Sequence, residues 1–239
     1  MTGAESRPAM RLGFGLMCKA PRPGLGKTRL AAALGAEAAA ALARAFLQDS
    51  AALLRAAADG LHAPCIAFHA PADAGPELAA LLPGWPMQAQ PEGDLGARMG
   101  AAFEHLFALG AEGAVLTGAD APSLPRALLV LLVSALERGA DAALIPARDG
   151  GYCALAAARP IPALLDGIPW STPAVLDATR SAAEAAGLRL AVLAPWHDVD
   201  AAEDLDLLRL TLRGLAPPGL SPLPPWPAHA TRRVLGEKG

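Results

Sequence analysis

Cysteines and aromatic residues are scarce in this sequence, and long apolar runs are missing. The three cysteines, Cys18, Cys65 and Cys153, lie far apart and form no C-x-x-C pair. This excludes a disulfide scaffold and favours a reducing, cytoplasmic compartment. Aromatic residues make up 4% of the chain, so the core must consist mainly of Ala, Leu and Val. No apolar run reaches the roughly 18 residues that a membrane span needs, and no apolar signal region is found near the N-terminus.

An excess of basic residues is also lacking. The formal net charge of the 239 residues is -3, which gives no broad basic field for nucleic acid. Hydrophobic residues account for 53% of the chain, enough for one substantial domain to bury. We therefore expect neither a nucleic acid nor a membrane as partner, and any contact with a polyanion must be local.

Short apolar runs alternate with helical stretches along most of the chain. This alternation predicts an α/β fold with a mostly parallel sheet covered by helices on both faces. Ligands of such sheets bind beyond the carboxyl ends of the strands. The predicted strands at 141–147 and 152–158 are joined by the turn "RDGG" into a hairpin-like pair. This pair indicates that one part of the sheet is antiparallel or crossed over. Strands are predicted at 11–18, 64–70, 113–118, 141–147, 152–158 and 188–194, and helices at 28–58 with a break or kink at Gly35, 76–82, 95–109, 125–138, 172–186 and 201–213.

The composition changes near residue 214. Residues 8–213 carry the alternating pattern and are predicted to form one domain. Residues 214–239 are rich in proline and show no helical period. We predict that this segment is an extended tail that packs on the domain or stays mobile.

The stretch "KAPRPGLGKTRL" at 19–30 follows the first strand and ends like a P-loop. A P-loop needs a glycine at position 21, which is Pro21 here, and Pro21 and Pro23 both lack the N–H that such a loop offers to phosphate. Side chains are therefore the predicted phosphate ligands, with Thr28 capping the next helix. The alternative is a solvated basic loop. The cations are Lys19, Arg22, Lys27 and Arg29.

Aspartates follow two predicted strands. Asp120 comes directly after the strand at 113–118, and Asp198 and Asp200 follow the strand at 188–194. Carboxylates at the carboxyl ends of strands can hold Mg²⁺ together with substrate phosphates and water. Helix capping explains each aspartate taken singly, but together with the cationic loop they predict a Mg²⁺ (or Mn²⁺) site that faces a polyphosphate.

Three further loops carry small or polar residues that could contact substrates. In "PEGDLGARM", Gly93, Asp94 and Arg98 are predicted to bind the nucleotide, since the small residues of the turn would let a base or ribose approach the backbone; the alternative is an ordinary helix start. In "ARDGGYCAL", the turn offers groups to an acceptor, although Asp-Gly is also ordinary hairpin chemistry. The predicted acceptor-binding residues are Asp149, Gly150, Gly151, Tyr152, Trp170 and Ser171.

Taken in order, these motifs resemble the DUF2064 proteins, also called rSAM/selenodomain-associated transferase 1. The matching stretches are "KAPRPGLGKTRL", "GDLGARM", "GADAPSLP", "DGGYCAL", "PWST" and "DVDAAEDLDLL", which together cover roughly residues 11–210. The family lies within the GT-A-like nucleotide-diphospho-sugar transferase superfamily. The first motif is also similar to the opening of the 2-phospholactate guanylyltransferases, and "GADAP" to the Asp-x-Pro of sugar nucleotidyltransferases.

The resemblance implies a Rossmann-like GT-A sheet in which Asp120 and a late aspartate, Asp200 or Asp198, hold the metal. It also implies that Lys19, Lys27 and Arg29 meet phosphates. With Lys27 and Asp120 as the predicted catalytic residues, the leading hypothesis is Mg²⁺-dependent nucleotidyl transfer from an NTP to a small phosphorylated acceptor, with release of pyrophosphate. The alternatives are glycosyl transfer from an NDP-sugar and a non-catalytic nucleotide-binding module. The sequence specifies neither the base, nor the acceptor, nor an oligomeric state.

Overall fold

A computed structural model describes residues 10–215 and 217–237. Within these residues seven strands form one sheet. Each predicted strand is present, with ends that differ from the prediction by at most two residues. The short third strand was missed because its three residues are only half-buried or exposed and give no apolar run. The strands are β1 (Leu12–Lys19), β2 (Cys65–Ala70), β3 (Met87–Ala89), β4 (Gly113–Gly118), β5 (Ala142–Pro146), β6 (Tyr152–Ala157) and β7 (Leu190–Val192).

Eight α-helices are found in the described residues. The first predicted helix breaks at Gly35, whose φ of 88° is a conformation that glycine adopts at little cost, so the predicted break is confirmed. The helices are α1 (Thr28–Leu34), α2 (Ala36–Ala58), α3 (Gly75–Leu81), α4 (Leu95–Ala108), α5 (Arg126–Glu137), α6 (Val175–Ala185), α7 (Ala202–Leu212) and α8 (His229–Leu235). None of the helices in the described part of the chain combines the length and apolar character needed to cross a bilayer.

The sheet has the order β3-β2-β1-β4-β6-β5-β7. Strand β6 runs antiparallel to both of its neighbours, and all other pairs are parallel. One core cluster covers one face of the sheet with α2 and α5, and a second covers the other face with α4 and α6. The prediction of a mostly parallel α/β sheet with helices on both faces is therefore confirmed, as is the antiparallel part around "RDGG".

Topology brings several loops to one edge of the sheet. Strands β1 and β4 are parallel neighbours, so the loops that follow Lys19 and Gly118 leave at the same edge. Because β6 is antiparallel to β4, the loop before Tyr152 also lies at this edge. The segment after β7 belongs there too, since β7 is parallel to β5. Loops that are far apart in sequence thereby meet.

The proline-rich C-terminal segment packs along the back of these loops. The Trp226 N–H donates to the carbonyl oxygen of Ser123 at 3.0 Å, and the Ser221 N–H donates to that of Pro195 at 3.0 Å. The segment ends in α8, which proline-rich composition did not indicate. Buried Asp49 of α2 accepts hydrogen bonds from the first-turn amides of Ala230 and Thr231, at 3.0 and 2.7 Å. The predicted division at residue 214 stays a prediction.

Candidate active site

A cleft of about 900 Å³ opens at this edge of the sheet. Most of the site residues predicted from the sequence line it, although they come from six separate segments of the chain. Arg22, Thr28 and Gly150 do not line it. The predicted residues that do are Lys19, Lys27, Arg29, Gly93, Asp94, Arg98, Asp120, Asp149, Gly151, Tyr152, Trp170, Ser171, Asp198 and Asp200.

The loop between β1 and α1 turns sharply at its end. Gly26 has a φ of 80°, and Lys27 follows with a φ of 46°, in the left-handed region that non-glycine residues seldom occupy. Such conformations cost about 1–3 kcal/mol and cluster at functional sites. The prediction that Thr28 caps α1 is wrong: the left-handed turn starts the helix at Thr28 itself, and Lys27 stands at the cap position without a side-chain cap bond.

Lys27 is bound by two carboxylates across the cleft. Its ammonium nitrogen lies 2.6 Å from Asp120 Oδ1 and 2.8 Å from Asp200 Oδ1, and it donates to the carbonyl oxygen of Val199 at 2.6 Å. Its side chain is only 10% exposed. Burial alone would lower the pKa of Lys27, but the two carboxylates outweigh burial and raise this pKa. Lys27 is therefore a charged ammonium at neutral pH.

Three aspartates form a compact acidic cluster beside Lys27. One carboxylate oxygen from each of Asp149, Asp198 and Asp200 lies within 4.8 Å of the others. Burial, together with the charges of Asp149 and Asp200, raises the pKa of Asp198 to about 7. Burial acts in the same direction on Asp200, but the cations Lys27 and Arg29 outweigh it and lower the pKa of Asp200. Carboxylates held this close, with one of them resisting ionisation, suit a divalent cation.

Asp120 and Asp200 are close enough to share one ligand. Their Oδ1 atoms lie within about 5.4 Å of each other, because one nitrogen is 2.6 Å from the first and 2.8 Å from the second. The helix-capping alternative does not account for Asp120, since α5 begins six residues later, at Arg126. Asp204 instead receives the capping bonds at α7, from the amides of Asp200 and Ala201 at 2.9 and 2.8 Å. Asp200 is thereby free to face the cleft.

Arg22 turns away from the site. Its guanidinium donates to Glu77 at 2.7 Å and to Asp73 at 3.3 Å, on the far side of the loop. Three of the four loop cations therefore reach the cleft. Acidic partners that lie about 50 residues further along the chain gave no sequence signal for this pairing.

Two of the loops that line the cleft are built by local hydrogen bonds. Asp94 caps α4 by accepting from the Ala97 amide at 2.9 Å, so the alternative of a helix start applies to it, although it also lines the cleft. The Asp149 carboxylate accepts from the Gly151 amide at 2.9 Å, as in an ordinary Asp-Gly turn. Asp94 and Asp149 each accept a local backbone hydrogen bond and also line the cleft.

An aromatic pair forms one wall of the cleft. Tyr152 and Trp170 meet edge to face, with ring centroids 6.0 Å apart. The Trp170 indole donates to the carbonyl oxygen of Leu165 at 3.3 Å, and Gly96 of α4 packs against both groups. These contacts fix the indole in place beside exposed Ser171.

Two features of the cleft were missed from the sequence. Asp149 was predicted as an acceptor ligand only, and its place in the acidic cluster depends on the antiparallel course of β6. Thr117 was overlooked within the apolar run of β4; it is 4% exposed, and its hydroxyl has no hydrogen-bond partner among the described residues. The Arg98 Nε is likewise buried and unpaired within that part of the chain. A polar residue inside an otherwise apolar strand was the available signal for Thr117.

Burial keeps the cysteines of the cleft wall in the neutral thiol form. Burial raises the pKa of Cys18 to about 12, and it also raises the pKa of fully enclosed Cys153. Both thiols are therefore neutral at physiological pH and behave as small apolar side chains.

Comparison with known proteins identifies close and distant relatives. A family model described as "Uncharacterized protein conserved in bacteria (DUF2064)" matches residues 52–172. No curated protein matches the sequence. The chain is similar to the crystal structure of a candidate nucleotide-diphospho-sugar transferase from Desulfovibrio desulfuricans G20, with 32% identity, 94% of this chain and 96% of that chain covered, and a TM-score of 0.79.

Two structures of low identity share the fold. One is CMP:2-keto-3-deoxy-manno-octonic acid synthetase complexed with CTP, at 10% identity, with 85% of this chain and 98% of that chain covered and a TM-score of 0.55. The other is Rv0371c from Mycobacterium tuberculosis H37Rv in complex with manganese, at 16% identity, with 83% and 97% covered and a TM-score of 0.52. The fold is thus the GT-A-like α/β fold that the motifs implied. The match of the family model, together with a relative that is 32% identical over nearly the whole chain, shows that this chain belongs to the DUF2064 family.

Proposed function

We propose that this protein is a Mg²⁺- or Mn²⁺-dependent transferase that uses a nucleotide, and that it transfers a nucleotidyl group from an NTP to a small phosphorylated acceptor. One observation carries the proposal: in the cleft, the Lys27 ammonium lies between Asp120 and Asp200, next to the cluster of Asp149, Asp198 and Asp200. Cations and carboxylates side by side are what a metal-bound polyphosphate requires.

The donor set fits a hard divalent cation. All candidate ligands are carboxylate oxygens, which Mg²⁺ and Mn²⁺ prefer, and no sulfur or imidazole belongs to the cluster in the described residues. Asp198 and Asp200 would hold the ion, with Asp120 or Asp149 as a third ligand. When bound, such an ion neutralises phosphate charge and orients the phosphates for in-line attack. The manganese complex of a protein with the same fold supports this assignment.

The chain's own side chains would do the rest by positioning and charge. Lys19, Lys27 and Arg29 would bind the phosphates of the nucleotide, since all three line the cleft beside the carboxylates. The unpaired polar atoms of Thr117 and Arg98 are available to the nucleotide as well. Phosphoryl chemistry of this kind needs charge neutralisation and alignment rather than a protein nucleophile, which agrees with the neutral thiols.

The aromatic wall would receive the acceptor. Tyr152, Trp170 and Ser171 line the same cleft as the cationic loop. An acceptor oxygen placed between this wall and the carboxylates could approach the α-phosphorus of the NTP and release pyrophosphate. The predicted partners remain small molecules, and a cytoplasmic location, where NTPs and Mg²⁺ are supplied, stays a prediction.

Glycosyl transfer from an NDP-sugar is the second candidate. It is favoured by the ion pairs of Arg22 with Glu77 and Asp73, because three rather than four loop cations then face the cleft and suit a diphosphate. The name given to the relative at 32% identity points the same way. In this reaction the ion would stabilise the leaving nucleoside diphosphate.

Product analysis separates these candidates. The full chain is incubated with Mg²⁺, panels of NTPs and NDP-sugars, and phosphorylated and unphosphorylated acceptors, and both pyrophosphate and free NDP are followed. We expect pyrophosphate release that falls at least about 100-fold in Asp120→Ala. Asp177→Ala, which removes an exposed carboxylate on α6, serves as the matched control and should retain activity. Release of NDP from an NDP-sugar would establish glycosyl transfer instead, and nucleotide binding without turnover would leave a binding module.

A further inference from the structure

The Lys27 ammonium has no hydrogen-bonding capacity left for a substrate. An ammonium carries three N–H donors, and three oxygens lie within 2.8 Å of this nitrogen: one each from Asp120, Asp200 and the Val199 carbonyl. The Phe46 ring packs against it, with its centroid 6.0 Å from the nitrogen. While Lys27 is paired with these two carboxylates, its ammonium has no N–H left to donate to a phosphate.

Both oxygens of Asp200 are also occupied by cationic side chains. Oδ1 lies 2.8 Å from the Lys27 nitrogen, and Oδ2 lies 3.1 Å from Nη2 of Arg29. A divalent ion that takes Asp200 as a ligand must therefore come within a few ångströms of one of these cations. Like charges at that separation repel each other. Ion binding through Asp200 therefore competes with Lys27 and Arg29, and of the two it is Lys27 that also contacts Asp120.

A released Lys27 needs a new anion. Its side chain is 10% exposed, and a buried ammonium without a partner is strongly unfavourable. A free divalent ion brings positive charge and no hydrogen-bond acceptor for Lys27. A polyphosphate, by contrast, brings negatively charged oxygens that accept hydrogen bonds from an ammonium. Conversely, a polyphosphate that arrives without an ion finds Lys27 already bound to carboxylates.

We propose that the site takes its ligand as a metal–polyphosphate complex, and that Lys27 passes from Asp120 and Asp200 to the phosphates when the ion takes over these carboxylates. The inference rests on the proposed function, since it assumes that both ligands use this cleft. It names the ligand class more closely: a nucleotide with its divalent ion already attached. Metal binding and nucleotide binding are therefore strongly coupled through one side chain.

Binding measurements on the full chain test this coupling. Mn²⁺ binding is followed by electron paramagnetic resonance, alone and with an α,β-methylene NTP analogue that cannot turn over. We expect the analogue to strengthen Mn²⁺ binding to the wild-type protein by about tenfold or more. In Lys27→Met, binding of Mn²⁺ alone should become about tenfold tighter, because the competing cation is gone, and the effect of the analogue should fall to less than about twofold.

Further variants keep the test decisive. Arg29→Gln removes the exposed cation from Asp200 and should tighten binding of Mn²⁺ alone by a smaller factor while most of the coupling is kept. Arg22→Gln, in the same loop but outside the cleft, is the matched control and should change neither quantity. Thermal melting checks folding, and Lys27→Gln replaces Lys27→Met if the latter unfolds.

The outcomes separate this inference from the proposed function. Mn²⁺ binding that is equally tight in Lys27→Met and wild type, with coupling retained, overturns the role of Lys27 but leaves a transferase that releases pyrophosphate intact. Lys27-dependent coupling in a protein that releases neither pyrophosphate nor NDP keeps the inference and removes the reaction. Absence of Mn²⁺ binding with and without the analogue overturns both.

Discussion

The Val199 N–H donates a hydrogen bond to the carbonyl oxygen of Asp120 at 2.9 Å. This bond joins two loops that are about 80 residues apart in sequence, one carrying Asp120 and the other carrying Asp198 and Asp200. The carbonyl oxygen of the same Val199 accepts from the Lys27 ammonium. A single backbone unit therefore fixes the spacing of the carboxylates and of the cation between them, before any ligand binds.

Replacement of Asp198 by Asn should stabilise the metal-free protein at high pH. The pKa of this carboxyl is about 7 in the folded state against 3.8 as the ordinary value, so the stability linked to its proton is full below pH 3.8 and is lost as the pH rises through 7. Asn keeps a neutral group there at every pH. In EDTA we expect Asp198→Asn to melt at a higher temperature than wild type at pH 8, by about 2–4 °C for each kcal/mol gained in the free energy of unfolding. At pH 4 the two proteins should melt at nearly the same temperature.

A divalent ion should reverse that order, because it stabilises the charged form that Asn cannot supply. Addition of Mn²⁺ at pH 8 is expected to raise the melting temperature of wild type more than that of Asp198→Asn. Asp177→Asn, at an exposed position, should follow wild type throughout. An Asp198→Asn protein that melts below wild type in EDTA at pH 8 would contradict the raised pKa of Asp198.

His197 should make the protein less stable as the pH falls. Burial lowers its pKa to about 4, from 6.5 as the ordinary value, so the stability linked to neutral imidazole is present above pH 6.5 and is lost as the pH falls toward 4. Between pH 7 and pH 5 this loss amounts to about 2 kcal/mol. We expect the unfolding free energy of His197→Gln to lack this decrease between pH 7 and pH 5. The comparison is made by urea unfolding in EDTA.

The background for this comparison is Asp198→Asn, which removes the opposite pH dependence of the neighbouring carboxyl. The His197→Gln substitution keeps a polar group near the hydroxyls of Ser123 and Thr211, which lie 3.4 and 3.1 Å from Nε2 of the imidazole. If the unfolding free energy of this background falls equally between pH 7 and pH 5 with and without His197→Gln, the imidazole is not held neutral.

Two glycines of α4 should respond oppositely to alanine. A Cβ at Gly96 would overlap the carbonyl oxygen of Leu165 and lie 2.6 Å from Nε1 of Trp170. Gly96→Ala must therefore displace the indole, and we expect a loss of about 1–3 kcal/mol in unfolding free energy and weaker acceptor binding. At Gly100 the nearest atom is 3.7 Å away, so Gly100→Ala should be neutral or stabilising by up to about 1 kcal/mol. Urea unfolding checks both, and equal effects would speak against the tight contact at Gly96.

Loss of the Asp49 carboxylate should loosen α8. This side chain is 4% exposed and accepts from the amides of Ala230 and Thr231. We expect Asp49→Ala to cost about 1–3 kcal/mol and to speed hydrogen exchange of those two amides, and Asp49→Asn to cost less because one acceptor oxygen is kept. Asp59→Ala, at the exposed end of α2, is the control. Unchanged protection of both amides in Asp49→Ala would refute the capping role.

Much of the site could be predicted because its residues stand beside strong local signals. Asp120 follows a short, largely apolar strand pattern, and Lys27 stands at a glycine turn before a helix. Neither signal depends on distant residues. By contrast, the ion pairs of Arg22 with Glu77 and Asp73 and the cap that Asp49 gives to α8 join residues about 50 to 180 positions apart. No spacing rule along the chain encodes such contacts.

The sequence by itself determined the α/β alternation, the break at Gly35 and the set of loops that could bear function, because hydrophobic period and turn chemistry are local properties. Only the tertiary structure decided which charges meet. The antiparallel course of β6 brings Asp149 to Asp198 and Asp200, and the bond from Val199 to Asp120 sets the gap that Lys27 fills. Electrostatic interactions depend on distances of a few ångströms across the fold, which strand order and register fix.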